Sequence, residues 1–526
     1  MTDADRAQPA EQPSRDSDSL KDTLISIVIA FALAFVGRSY VIEPFVIPTG
    51  SMGPTLNGAH MRFRSPASGF NWVVNPRDVA RGSSNPLPVQ GSRRSNRPIS
   101  VSDPVTGIPM SRFDVPLRSG DRIVVLKYLY AISDPHRFDV VVFKNPENPQ
   151  ENFIKRLLGL PGEELWLCDG DLFVRKPESD DPALRAWRVQ RKPRRVQEAV
   201  WWPVFSSEYA PLDDALLGRS WRGPFSGEGW DTSGREYRAE TADPGALTWD
   251  DDAWPITDYT PYNQTVERLI SGGVRRFPVS DIRLHAGVKP DDKGLAVTAT
   301  LLARQHEFQG VIRDGRAVVR MRAVGVADWT DLGEGEAPEF APGRTVKVQF
   351  IHVDQSLELR VGEHRVAFGV YNWTPEERLA FATVEGAQEA RGLPLSQPRF
   401  YRKPEVSWSF AGSPVTLYRV GLDRDLHWRT DPDPRGGAYA RATAPGSTFQ
   451  LRAREHFMCG DNSTSSRDSR MWDSVDPWVA ATIDDRVGVV PRDLMMGRAF
   501  FVYFPSPHGN LGPIPVPDFG RMRFIK

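Results

Sequence analysis

Two short segments of this 526-residue chain carry side chains whose types and spacing can do chemistry together. The first, Ile47-Pro-Thr-Gly-Ser-Met-Gly-Pro-Thr-Leu56, places Ser51 between Gly50 and Met52 in a stretch stiffened by Pro48 and Pro54. The second, Phe153-Ile-Lys-Arg-Leu-Leu-Gly-Leu-Pro-Gly162, sets Lys155 among apolar neighbours. Lysine is scarce in this chain, 11 residues against 55 Arg. The distinction matters because an arginine stays protonated in a protein, whereas a buried lysine can give up its proton. A serine hydroxyl is a weak nucleophile until a neighbouring base takes its proton. An ordinary lysine, with a pKa of about 10.4, is neutral in only about one molecule per thousand near pH 7.4. Burial lowers that pKa by up to about 3–5 units, which makes the amine a usable base. Phe153, Ile154, Leu157 and Leu158 can supply part of that desolvation. Taken singly, Ser51 reads as a turn residue and Lys155 as a solvated strand lysine. Taken together they read as a serine–lysine dyad.

Other chemistries find no support. There is no phosphate-binding Gly-rich loop, no dinucleotide fingerprint, no His-Glu-x-x-His and no Cys-x-x-Cys. The 9 histidines are scattered. The 2 cysteines, Cys168 and Cys459, are too few for a disulfide scaffold or a Cys-rich zinc site, and whether they pair is left open. Cys459 is expected as a buried free thiol. With 66 Lys+Arg against 67 Asp+Glu the net charge is −1, which argues against a nucleic-acid partner.

The elements that must position the dyad are mainly β. Residues 1–19 are polar and expected to be a disordered tail. Thr23–Ile42 follows as a twenty-residue apolar run interrupted by Arg38, about the length that crosses a hydrocarbon core, so 20–42 is expected as a transmembrane anchor. A cleavable signal with Ala32-Leu33-Ala34 as its site is the alternative, disfavoured by the long acidic leader. Residues 62–118 read as a loop-rich excursion. Asp121–Lys127, Asp139–Lys144 and Phe153–Leu158 read as strands, the last two as antiparallel partners across the turn 145–150. Residues 179–269 read as a loop-rich connection. Regular alternation over 270–428, clearest in Val346, Val348, Phe350 and Leu357, Leu359, Val361 about the turn at Asp354, predicts an inserted β-sandwich.

Four blocks in order resemble the bacterial type I signal peptidases (leader peptidases), membrane serine proteases that remove signal peptides from exported preproteins. They are Pro48–Leu56, Gly120-Asp-Arg-Ile-Val-Val125, Ile154–Gly162 and Gly460-Asp-Asn-Ser-Thr-Ser-Ser-Arg-Asp-Ser-Arg470. The resemblance implies an antiparallel β catalytic domain formed by 43–178 and 448–526. It implies Ser51 as nucleophile and Lys155 as general base, with Ser466 orienting the lysine. Asp461, Asp468 and Arg470 become structural supports. The oxyanion falls to the Ser51 N–H and the Thr49 hydroxyl, where the family commonly has serine. Ile47, Pro48, Met52, Leu56, Phe153 and Ile154 become candidate pocket walls. Neither metal nor cofactor is implied, since the lysine takes the role a metal or histidine has elsewhere.

The implied partners are signal peptides and the lipid bilayer. The implied place is the cytoplasmic (inner) membrane, single-pass, with the catalytic domain outside. The 270–428 segment resembles laminin-G or concanavalin-like sandwiches. It is expected to bind glycan or protein, or merely to embellish the fold, and to take no direct part in the chemistry. Two rivals remain: a self-processing Ser-Lys repressor relative, and an idle membrane protein whose sandwich binds glycan or protein at the envelope.

Overall fold

A computed structural model describes residues 15–37, 41–74, 99–112, 115–213, 220–243, 245–260, 262, 275–507 and 515–526. Most of residues 1–19, together with Arg38, thus lies outside the described residues. The first element is a helix, Arg15–Val36. Its first two turns are charged (Arg15, Asp16, Asp18, Lys21, Asp22), leaving an apolar stretch from Thr23 to Val36 that rises only about 21 Å at 1.5 Å per residue. A hydrocarbon core is about 30 Å thick. Among the described residues no helix is long and apolar enough to cross a membrane. The run expected to continue to Ile42 instead turns there into the strand Ile42–Val46. Leu24, Val28, Phe31, Leu33 and Phe35 of the helix are exposed.

That strand opens the sheet that carries the site. Its order is Ile42–Val46, Arg122–Leu126, Met495–Phe504, Val140–Asn145, Asn148–Gly159, Glu455–Cys459 and Val490–Pro491, with Arg523–Phe524 added on Met495–Phe504. All pairs are antiparallel, so segments more than 300 residues apart in sequence become neighbours. The expected hairpin is present, with Lys155 opposite Val141 and Ile154 opposite Val142.

Two expectations about loops are corrected. The 62–118 excursion contains a three-stranded sheet (Asn71–Val74, His60–Arg64, Leu117–Arg118) and the hairpin Ile99–Ser102/Pro109–Arg112. They share a small core of Met61, Phe63, Trp72, Val74, Val101 and Met110. The 179–269 connection supplies strands to both sheets of the sandwich: Trp202–Ser206 and Glu236–Ala239 pair with Val415–Arg424, and Gly245–Trp249 pairs with Glu405–Ala411. The strands there run only 2–5 residues, too short for alternation to show.

Within the sandwich the expected alternation holds in Ile282–Pro290 and Ala296–Ala303, whereas Val346–Val353 and Ser356–Val361 are buried on nearly both faces, Trp201 packing against Ile351 and Val353. Ile282–Pro290 alternates buried and half-buried residues along its whole length, and Phe350 faces Leu359 across the hairpin. Asp354 and Gln355 close that hairpin at φ of 47° and 56°, the left-handed pair a tight turn requires. One continuous core joins both sheets, with Phe225, Tyr237, Leu247 and Trp249 of the connection inside it. The seam between the sandwich and a separate four-stranded sheet (Arg188–Val189, Asp171–Arg175, Glu164–Cys168, Phe449–Gln450) is charged and buried. Asp169 meets Arg304 at 2.7 Å and Arg378 at 2.8 Å, Asp171 meets Arg378 at 2.9 Å, and Lys192 meets Asp425 at 2.7 Å.

Candidate active site

The Pro48–Leu56 block forms a tight turn after the edge strand. A short 3-10 helix spans Gly50–Met52, entered from Thr49 in extended conformation. The second sequence block clamps it from below. The Asp121 carbonyl accepts from the Ile47 N–H at 2.9 Å, and the Asp121 carboxylate accepts from the Asn57 N–H at 2.9 Å. Gly120 has to be glycine, because a Cβ there would fall 1.8 Å from the Ile47 carbonyl oxygen.

Lys155 reaches this turn from the third sequence block, on the strand Asn148–Gly159. Its Nζ donates to Ser51 Oγ at 2.8 Å and to the Ile154 carbonyl at 3.0 Å. Ser51 and Lys155 are 6% and 4% exposed. Burial pushes the lysine down from its ordinary 10.5 to about 8, against the opposite pull of the Asp468 and Asp461 carboxylates. The Phe153 ring lies 4.9 Å from Nζ, an apolar wall that also offers a cation–π contact to the charged form.

The fourth block closes the site from the far end of the chain. Asn462 donates its backbone N–H to the Ser51 carbonyl at 3.0 Å and its side-chain amide to the Gly50 carbonyl at 2.9 Å. A Cβ on Gly460 would lie 2.4 Å from the Ser51 carbonyl oxygen and 2.3 Å from Ser466 Oγ, so this glycine is what lets the block approach. Asp468 and Arg470 form the expected ion pair, two contacts of 2.9 Å, both fully buried. Burial alone would raise the Asp468 carboxyl; Arg470 holds it below the usual range. Asp461 pairs with Arg156. Ser466 is buried beside Gly460, but the hydrogen bonds of Lys155 Nζ run to Ser51 and Ile154 and not to it.

The remaining site residues divide. Thr49 is half-buried, and its hydroxyl makes no capping bond to the helix it precedes. Ile47, Met52, Leu56 and Ile154 share one apolar cluster, while Phe153 packs in the next with Phe143 and Trp472. Pro48 is exposed and, with Ile47, lines a depression of about 510 Å³ beside the turn. Cys168 and Cys459 are both buried and free.

Residues missed at the level of sequence include Arg156, Asn462 and Thr55, whose hydroxyl donates to Asp461. Four carboxylates, Asp171, Asp281, Asp354 and Asp425, gather within 4.8 Å of one another, the donor set a metal would need. Lys192, Arg304 and Arg378 already pair with all four of them, so cations of the chain itself occupy that cluster.

Known proteins agree with the motif reading. Residues 105–207 match the family model described as signal peptidase, peptidase S26, a span that includes Lys155 and lies between the Ser51 and Gly460 blocks. Over 85 residues the chain is 35% identical to a probable signal peptidase I-2 of Synechocystis, covering 15% of this chain and 38% of that one. It is 36% identical over 72 residues to a signal peptidase I of Bacillus caldolyticus, covering 14% and 38%. Against a signal peptidase I of Pseudomonas fluorescens it is 29% identical over 143 residues, covering 27% and 33%. The chain thus spans well under half the length of these relatives. Among solved structures, a Bacillus subtilis protein with a galectin-like fold aligns over 43% of this chain and 97% of its own at 9% identity and a TM-score of 0.25. The resemblance to type I signal peptidases is borne out by the family and sequence matches, and the large additional β unit is present in the fold.

Proposed function

We propose that this chain is a serine endopeptidase that cleaves signal peptides from exported preproteins with Ser51 and Lys155. The observation that carries the reading is the 2.8 Å contact between Ser51 Oγ and a Lys155 amine lowered to about 8. When Lys155 is neutral, the same contact lets the Ser51 hydroxyl donate to the amine. Oγ then attacks the scissile carbonyl as its proton passes to Nζ, and the ammonium returns that proton to the leaving amine. The resulting ester is hydrolysed when the neutral lysine deprotonates a water. The Ser51 N–H and the Thr49 hydroxyl stabilise the oxyanion in both steps.

Ile47 and Pro48 border a depression beside the Ser51 turn, with Ala59, Leu117 and Gly120, where the residues before the cut would lie. The resemblance to type I signal peptidases implies small side chains, typically alanine, at the first and third positions before the bond. The exposed apolar residues of the helix Arg15–Val36, from Leu24 to Phe35, support a lipid bilayer as partner, and the resemblance to type I signal peptidases would put the site on its extracytoplasmic side. The test is cleavage of a model preprotein by the purified chain and by Ser51→Ala. Wild-type cleavage at the small-x-small site with none by the variant supports the reading. Equal cleavage by both removes it.

A further inference from the structure

The nucleophile turn is built from residues with little rigidity of their own. Gly50 precedes Ser51 and Gly53 follows Met52, and glycine loses more freedom on ordering than any other residue. Packing must therefore come from outside the turn, and part of it comes from the inserted unit. Tyr262 is 1% exposed and lays its ring on Gly50. A Cβ on Gly50 would fall 1.9 Å from Tyr262 Cε1 and 2.6 Å from Cζ, and one on Gly53 would lie 3.4 Å from Cδ1.

The segment that presents the ring is anchored in the sandwich. Asp258 donates its N–H to the Phe277 carbonyl and accepts the Phe277 N–H at its carboxylate, both at 2.9 Å. Arg424, the last residue of the strand Val415–Arg424, donates to the carbonyls of Asp258 at 3.2 Å and Tyr259 at 3.4 Å. Arg429, just beyond that strand, pairs with Asp258 at 3.9 Å and donates its N–H to Ser463 Oγ at 3.2 Å. The same frame therefore reaches the Ser51 turn through Tyr262 and the Gly460–Arg470 block through Arg429.

We propose that Tyr262 is a positioning residue for Ser51, so that the inserted unit is part of the catalytic apparatus. This rests on the reading of Ser51 and Lys155 as a peptidase dyad. The ring pins Gly50, Gly50 fixes where the Ser51 side chain starts, and Oγ stays within hydrogen-bond reach of Lys155. A displacement of 1 Å at a reacting atom costs about 100-fold in rate.

The test uses the full chain and a peptide substrate with alanine at the first and third positions before the cut, with rates expressed per serine titrated by a covalent serine-directed inhibitor. Tyr262→Ala is expected to lower kcat about 10- to 100-fold with KM changed less than about threefold. Tyr262→Phe, which keeps the ring, retains wild-type kcat. Gly50→Ala is inactive because its Cβ strikes the ring, and the double variant Gly50→Ala/Tyr262→Ala regains at least about tenfold over Gly50→Ala alone. A merely structural tyrosine would lower the melting temperature and the titratable fraction while leaving kcat per titrated serine unchanged. That result, or a double variant no better than Gly50→Ala, overturns the proposal. An inactive wild type removes the peptidase reading itself, and this inference with it.

Discussion

Arg156, the sequence neighbour of Lys155, points to the opposite face of its strand and grips Asp461 through two hydrogen bonds of 2.7 Å, with both side chains wholly out of solvent. The alternation of a strand makes this division of labour possible: one residue serves the dyad, and the next ties the strand to the Gly460 block. Asp461 also accepts from Thr55, so the pair links three of the four sequence blocks. Removing one member of such a pair leaves a buried charge unpaired, at about 3–5 kcal/mol. Arg156→Met and Asp461→Asn should each lower the unfolding free energy extracted from urea titration by that order. The double variant should cost clearly less than the two together. Additive losses would show that the pair does not act as a unit.

Replacing the base should separate charge from basicity. Lys155→Arg keeps a cation and Lys155→Met keeps the approximate length, yet neither accepts a proton at neutral pH. Both should reduce kcat for peptide cleavage by at least about 10²–10⁴-fold while the far-UV spectrum and melting transition persist. Turnover near the wild-type rate in either variant would end the assignment of Lys155 as base.

The lowered lysine fixes the pH response. The neutral amine is the working form, so kcat/KM should rise about tenfold per pH unit below 8 and level off above it. Stability should move the same way. Between about pH 8 and 10.5 the folded state holds fewer protons at Lys155 than the unfolded state, so stability rises with pH across that window. Lys155→Met should abolish this slope in pH-dependent denaturation. A flat kcat/KM from pH 7 to 9 would contradict a lysine base with this pKa.

The pairing of Ser51 with Lys155 was legible in the sequence because its signals are local: a lysine amid apolar strand residues in an arginine-rich chain, and a serine in a Gly/Pro-stiffened turn. The sandwich was legible where strands were long enough to alternate, as in Ile282–Pro290 and Ala296–Ala303. The pair of Arg156 and Asp461, 305 residues apart, has no local signal. Nor has Tyr262, whose importance depends on which backbone its ring meets. The N-terminal helix shows the limit of counting apolar residues. Composition allowed a twenty-residue span, whereas the described α-helix Arg15–Val36 holds only Thr23–Val36 of that run.

Thr49 offers a finer test of the oxyanion site. Its hydroxyl is not consumed in capping the Gly50–Met52 helix, so it is available to a substrate oxyanion. Thr49→Val keeps the shape and removes the donor; kcat should fall about 10²–10³-fold with little change in KM. Thr49→Ser should stay active. Equal kcat for Thr49→Val and wild type would leave the oxyanion to backbone alone.

The extent of the sandwich can be read from which fragment folds. Residues 270–428 alone lack Trp202–Ser206 and Glu236–Ala239, which flank Val415–Arg424, and Gly245–Trp249, which flanks Glu405–Ala411. They also lack Phe225, Tyr237 and Trp249, each at most 4% exposed in the shared core. Losing a buried aromatic costs about 3–5 kcal/mol, and a domain of ordinary stability holds only about 5–15 kcal/mol in reserve. The short fragment would also expose two unpaired strand edges, a template for aggregation. It should therefore be aggregation-prone and unfold without a sharp transition. A 201–428 fragment restores the missing strands and aromatics, and should be soluble with a cooperative urea transition followed by tryptophan fluorescence. It still lacks Asp169, Asp171 and Lys192 from the charged seam, so its midpoint should lie below that of the full chain. A cooperative transition for 270–428 with the same midpoint as 201–428 would show that the strands before residue 270 are decoration on the sandwich and not part of it.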